Sequence, residues 1–178
     1  AARAFLSSAN VARASWEGDL ERAATLAKDA VVCFDLLGDA RNAARQRQLA
    51  GWALAELGAY AIAEAVLREA RDAAERLGLA VVANDAKLRL GHLYARTNRL
   101  AEAIATTHEV IAAYAAQRDR VGEGRARAYL AGVHYFANDP EAAEADALKA
   151  MPLLEHAPPY RAPLMGFLTL RSEERRVG

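Results

Sequence analysis

The residues through which this chain would do covalent or metal chemistry are four histidines, one cysteine, three amino-terminal serines and a close glycine pair. His92, His108, His134 and His156 have no metal-ligand spacing and no HExxH motif occurs; a helix-borne metal site needs its ligands about one turn apart. His134 is expected to be a core histidine. Cys33 sits in the apolar run VVCF with no base beside it, the setting of inert packing and not of an activated thiolate. Ser7, Ser8 and Ser15 lack the GxSxG turn of a nucleophile elbow. Gly122-Glu-Gly124 stands at a predicted helix start, yet no Gly-Lys-Ser/Thr ending follows and no strand precedes it. It is read as an ordinary joint between helices. No catalytic residue, metal site or cofactor site is read here. An enzyme on an α/α scaffold would need an acid–base constellation that the sequence does not contain.

Charge narrows the partners. The chain has 23 basic and 23 acidic residues, interleaved for the most part. That argues against a nucleic-acid footprint, which needs a one-signed patch. The chain is 53% hydrophobic, but no run reaches the length of a membrane span, so no membrane partner is expected. Nothing at the amino terminus resembles a signal peptide. The lone cysteine excludes an intrachain disulfide, and a reducing, cytoplasmic setting is expected. The chain begins without methionine and is expected to be a fragment. Its last eight residues, Arg171 to Gly178 (RSEERRVG), resemble a translated sequencing-library adapter. They are set aside as a non-native tail, expected to touch nothing.

The elements that must position any binding residue are helices in strict register. Gly18, Gly58, Asn98 and Asn138 stand 40 residues apart at predicted turns within helix pairs. Gly38, Gly78, Arg118 and Pro158 stand midway, at predicted joints between pairs. Five residues after each intra-pair turn comes Ala23, Ala63, Ala103 or Ala143, and seven further on Ala30, Ala70, Val110 or Ala150. Small residues at those places let two helices cross closely. The spacing predicts helices over 3–16, 20–37, 40–56 (with Asp39 as its cap), 60–77, 79–96, 99–117, 124–137 and 140–154, with a further one from Arg161 to Leu170. The joints before the last two odd-numbered helices are predicted at Arg118–Gly122 and His156–Tyr160. Asp139-Pro140-Glu141 is the sharpest helix start, with a cap, a proline at the first position and an acid at the positive end. Glu64–Arg68 and Asp72–Arg76 are predicted ion pairs one turn apart.

This pattern resembles the tetratricopeptide repeat. The best copy is Leu90-Gly91, Tyr94, Asn98 and Ala103, with Val110 in place of the second helix-B alanine; the second is Gly51, Leu54, Gly58, Ala63 and Ala70. The outer copies depart from it: Val11 and Ala131 replace the glycine, and Ala14 and His134 replace the aromatic. The resemblance covers residues 3 to 170. It implies an all-α fold, an α-solenoid with a right-handed superhelix, built of antiparallel helix pairs. Four pairs and the start of a fifth would occupy residues 1–170. The long period resembles the helical arrays of bacterial multidomain signalling ATPases and Ser/Thr protein kinases, whose catalytic motifs are absent from this sequence.

In that family the concave surface is lined by the first helix of each pair, at positions counted back from the turn. Here those positions hold Phe5, Arg45, Asp85 and Arg125; Ser8, Gln48, Leu88 and Ala128; Ala12, Trp52, His92 and Gly132; Ser15, Ala55, Ala95 and Tyr135. The resemblance implies a partner-binding face carrying Arg45, Gln48, Trp52, Arg89, His92, Arg125 and Tyr135. Trp52 is equally readable as plain interhelical packing. The family's carboxylate clamp has asparagine where this chain has Ala12, Trp52, His92 and Gly132, so that ligand is not expected. The expected function is a non-catalytic module that binds a protein or peptide segment. The rival is a sensor whose helices enclose a small molecule or signalling peptide.

Overall fold

The turns set the ends of the helices between residues 18 and 138. Gly18, Gly38, Gly58 and Gly78 have φ between 65° and 80°, and Asn98, Arg118 and Asn138 have φ of 61°, 56° and 56°. At each, the turn residue donates to the carbonyl three residues back, and the next residue to the carbonyl five residues back. Thus Gly38 donates to Asp35 at 3.0 Å and Asp39 to Phe34 at 2.9 Å. This closure satisfies carbonyls left open at the helix end, and it requires a left-handed residue. The residue that completes it is already the cap of the next helix. Asp19, Asp39, Asp119 and Asp139 accept from the backbone N–H of Arg22, Asn42, Gly122 and Ala142. One helix therefore ends and the next begins across three residues.

The structure, a computed structural model, describes residues 2–161, 164, 165 and 168, the side chains at 3, 4 and 16 excepted. Among these the helices are α1 (Ala2–Glu17), α2 (Leu20–Leu36), α3 (Ala40–Glu56), α4 (Tyr60–Arg76), α5 (Ala80–Arg96), α6 (Leu100–Ala116), α7 (Arg120–Phe136) and α8 (Pro140–Ala150). A 3-10 turn, Met151–Leu153, follows. From α2 to α7 every helix has 17 residues. The described residues contain no strand. No described helix is long and apolar enough to cross a membrane.

The chain divides into two compact units, Ala1–Leu93 and Tyr94–Gly178. In the first, α1 packs on α2, α2 on α3 and α3 on α4. Its core is made largely of alanine: Ala23, Ala27, Ala30, Ala43, Ala63 and Ala70 are all buried beside Phe34 and Leu67. Small side chains bring the backbones close, and the bulky ones fill what remains. A Cβ on Gly51 would lie 2.6 Å from Leu67 Cγ, so α3 can pass over α4 there only without a side chain. Burying a leucine such as Leu67 stabilises by about 1.5–3 kcal/mol. Phe5, though exposed, sets its ring edge-on to that of Phe34, centroids 5.3 Å apart.

In the second unit α6 packs on α7 and α7 on α8. Ala103, Val110, Tyr114, Leu130, Val133, Ala143 and Ala150 are buried. Here the structure corrects the predicted joints. Helix α7 starts at Arg120, four residues before the predicted start, because Asp119 caps it. Gly122 and Gly124 are thus inside the helix. A Cβ on Gly122 would strike the Tyr114 ring, and one on Gly124 would lie 2.8 Å from Leu154 Cγ. They are contact glycines and not a phosphate loop. Helix α8 stops at Ala150, short of the predicted Leu154, since Pro152 has no N–H to donate to the ladder. The predicted joint at 156–160 is shorter than expected, because 158–161 is already helical. Proline suits the first turn of a helix, where its missing N–H costs nothing. The Arg161–Leu170 helix is described only at 161, 164, 165 and 168, which are helical. The tail 171–178 lies outside the described residues. Glu64 and Arg68 pair at 2.7 Å as predicted, whereas Asp72 pairs with its neighbour Arg71, also at 2.7 Å.

Candidate binding surface

Helices α1, α3 and α5 are joined in the first unit by polar contacts that hold side chains in place. Gln46 on α3, buried, donates from Nε2 to Ser8 Oγ on α1 at 2.8 Å. Arg89 on α5 lies over the Trp52 ring on α3, 5.2 Å from its centroid. A guanidinium face on an indole is attracted by the ring quadrupole, with about 0.5–2 kcal/mol at stake. Gln48, one turn before Trp52 and buried, turns its amide oxygen to the same guanidinium and accepts from Arg89 Nη2 at 3.2 Å and from Nε. That orientation is assigned because the reverse would set donor against donor. Gln48 is therefore a support beneath the surface and not a contact upon it.

Arg45, Gln48 and Trp52 lie at helical spacing on one face of α3, and Arg89 and His92 on one face of α5. Arg45 is exposed, and Trp52 and His92 are half-buried. These five belong to the first unit. Arg125 and Tyr135 belong to the second, on α7. Arg125 covers the Tyr160 ring at 4.9 Å. Tyr135 is exposed, and its ring meets Phe136 edge-on at 6.2 Å. The two are ten residues apart, about 15 Å along the helix. Gly132, at the position of Trp52 and His92 in the helix register, would have open space around a Cβ.

Several positions expected to line the face do not. Leu88, Ala55 and Ala95 are buried. In these helices the core stripe is wide enough to include them, and only the next residues around the helix reach solvent.

Sequence reasoning missed two ion pairs that tie consecutive helices. Arg47 on α3 reaches Asp35 on α2 at 2.6 Å, and Lys87 on α5 reaches Glu75 on α4 at 2.9 Å. The two cations occupy the same place in their helices, which comparing the pairs would have revealed. It also missed Asp146, buried on α8, with His134 Nε2 at 3.5 Å and Lys149 Nζ at 3.4 Å. The same place in the other even-numbered helices holds Leu26, Val66 and Thr106. His134 is half-buried at the α7–α8 contact, consistent with a packing histidine. Cys33 packs against the Ala30, Phe34 and Ala43 cluster.

A cleft of about 420 Å³ opens between α3 and α4, lined by Ala40, Arg47, Glu69, Asp72, Ala73, Arg76 and Leu77. Its charges are mixed, and Arg47 and Asp72 are already paired.

No protein-family model matches the chain, and no curated protein matches it.

Proposed function

We propose that this chain is a non-catalytic binding module, a tetratricopeptide-like α-solenoid whose helix pairs repeat every 40 residues. It holds a protein or peptide segment and serves within a larger bacterial signalling protein in the cytoplasm. One observation carries the reading: Trp52 and Arg89, from neighbouring odd-numbered helices, meet on a face braced from below by Gln48. A rigid aromatic–arginine pair is the kind of anchor that carries interface energy. The uniform helices and turns are what stacked repeats require, because no single pair buries its apolar face alone.

The test is binding of a panel of short extended peptides to the parent and, separately, to Arg45→Ala in the first unit and Arg125→Ala in the second. The reading expects weakened capture with an unchanged melting temperature. Normal capture by either variant would remove its arginine from the binding face of its unit. The second reading, a small-molecule sensor, rests on the cleft between α3 and α4. It expects a ligand-dependent rise in melting temperature that Arg76→Ala abolishes.

A further inference from the structure

Charge is sorted by helix in the first unit. Helix α3 carries Arg41, Arg45 and Arg47 against Glu56, and the part of α5 in this unit carries Lys87 and Arg89 against Asp85. The even-numbered helices lean the other way. Helix α2 has Glu21, Asp29 and Asp35 against Arg22 and Lys28; α4 has Glu64, Glu69, Asp72 and Glu75 against Arg68, Arg71 and Arg76. Part of this sorting ties the helices together, through Arg47–Asp35 and Lys87–Glu75. Those two cations lie on the sides of α3 and α5 that face the preceding even-numbered helix.

The other cations lie elsewhere on the helix. Arg41, Arg45, Gln48 and Trp52 follow one another at four, three and four residues along a single face of α3. Arg41 and Arg45 are exposed. Arg89 stands over Trp52 from α5, with His92 one turn on. The acids that share these faces are Glu56 and Asp85. The count is three cations to two acids, and Arg41 and Arg45 extend from the half-buried indole toward the start of α3, with Glu56 one turn beyond it.

We infer that this face of α3 and α5 takes an acidic polypeptide segment, one bearing spaced Asp or Glu side chains and an apolar residue that rests on Trp52. The inference rests on the proposed reading of the chain as a peptide-binding module. Arginine's planar fork matches a carboxylate two bonds at a time. A nucleic-acid footprint needs a one-signed patch, which Asp85 and Glu56 break, whereas a segment with spaced acids need set its carboxylates only on Arg41 and Arg45.

The test measures fluorescence anisotropy of a labelled peptide in which Glu alternates with Ser around a central Leu, and of its Glu→Gln counterpart. The full chain is titrated as parent, as Arg41→Glu/Arg45→Glu, and as Trp52→Ala. The Glu peptide is expected to bind about tenfold tighter than the Gln peptide, and to weaken as salt is raised. The arginine double variant is expected to lose about tenfold for the Glu peptide only, with the melting temperature unchanged. Equal binding of the two peptides, both lost in Trp52→Ala, would overturn the acidic partner and leave the peptide-binding reading standing. Failure of both peptides and of a broad peptide panel would overturn both. A single-stranded oligonucleotide that displaces the Glu peptide at lower concentration would replace the acidic segment with a nucleic acid. Self-association by light scattering, with no peptide bound, would replace it with a second copy of the chain.

Discussion

Arg89 reaches from α5 to the Trp52 ring on α3, 5.2 Å to the centroid, and on the way takes up the amide oxygen of buried Gln48. Removing the guanidinium loses the ring contact and leaves that oxygen without its donor. Arg89→Ala is expected to cost about 1–3 kcal/mol in urea unfolding. Arg89→Ala with Gln48→Leu should recover part of the loss, because the orphaned amide is gone. An additive double variant would mean that the two side chains do not depend on each other.

Ala103 is fully buried on α6, as Ala63 is on α4. Ala103→Leu adds volume where none is open and is expected to destabilise by about 1–3 kcal/mol. Calorimetry that returned the parent melting temperature would show a looser contact than the burial implies.

Arg118 takes φ of 56° in a turn position that glycine holds at 18, 38, 58 and 78. A side chain with a Cβ is strained there, while Asn98 and Asn138 are the better-tolerated exceptions. Arg118→Gly is expected to stabilise by about 0.5–1 kcal/mol, the relief of strain exceeding the added freedom of the unfolded chain. Arg118→Val should do the reverse. Thermal melts of the two variants that moved in the same direction would contradict this.

Asp39 caps α3 and accepts from Asn42 twice, from the side-chain amide at 2.7 Å and from the backbone N–H at 3.1 Å. These bonds, the side-chain one foremost, hold the Asp39 carboxyl below its ordinary value. A carboxylate whose folded pKa is lowered stabilises above its unfolded pKa and loses that contribution as pH falls through the folded one. The melting-temperature gap between the parent and Asp39→Ala should therefore be full near neutrality and narrow from about pH 4 downward. A gap independent of pH would show that the ionised carboxylate is not what caps the helix.

Much of the helix layout was legible because it is written in local chemistry. Glycine at 18, 38, 58 and 78 marks chain reversals directly, since little else takes positive φ without strain. Aspartate at 39 and 139 marks the starts that follow, whereas the cap at Asp119 went unread and the start of α7 was placed four residues late. Arg118 could be placed only by spacing, because nothing in an arginine side chain announces a left-handed residue. Glycines 122 and 124 were misplaced for the opposite reason. Glycine marks a turn and a close approach with the same letter, and only Tyr114 and Leu154 decide which is meant. Of the site residues, Arg45, Trp52 and His92 could be assigned to one side of their helices from register alone. The burial of Gln48 and the stacking of Arg89 could not.

By itself the sequence determined where most helices begin and end, and which positions along them are small and apolar. Both follow from interactions within a few residues: a cap, a turn dihedral, a period of helical contacts. Tertiary structure decided which polar groups meet. The Arg47–Asp35 and Lys87–Glu75 ties, the Asp146–His134 contact and the Arg89–Trp52 stack each join residues on different helices. Long side chains have many rotamers, and a partner is selected only when packing of the alanine and leucine core has set the distance between two helices. That core also chose the solvent face, burying Leu88, Ala55 and Ala95 and leaving Arg45 outside.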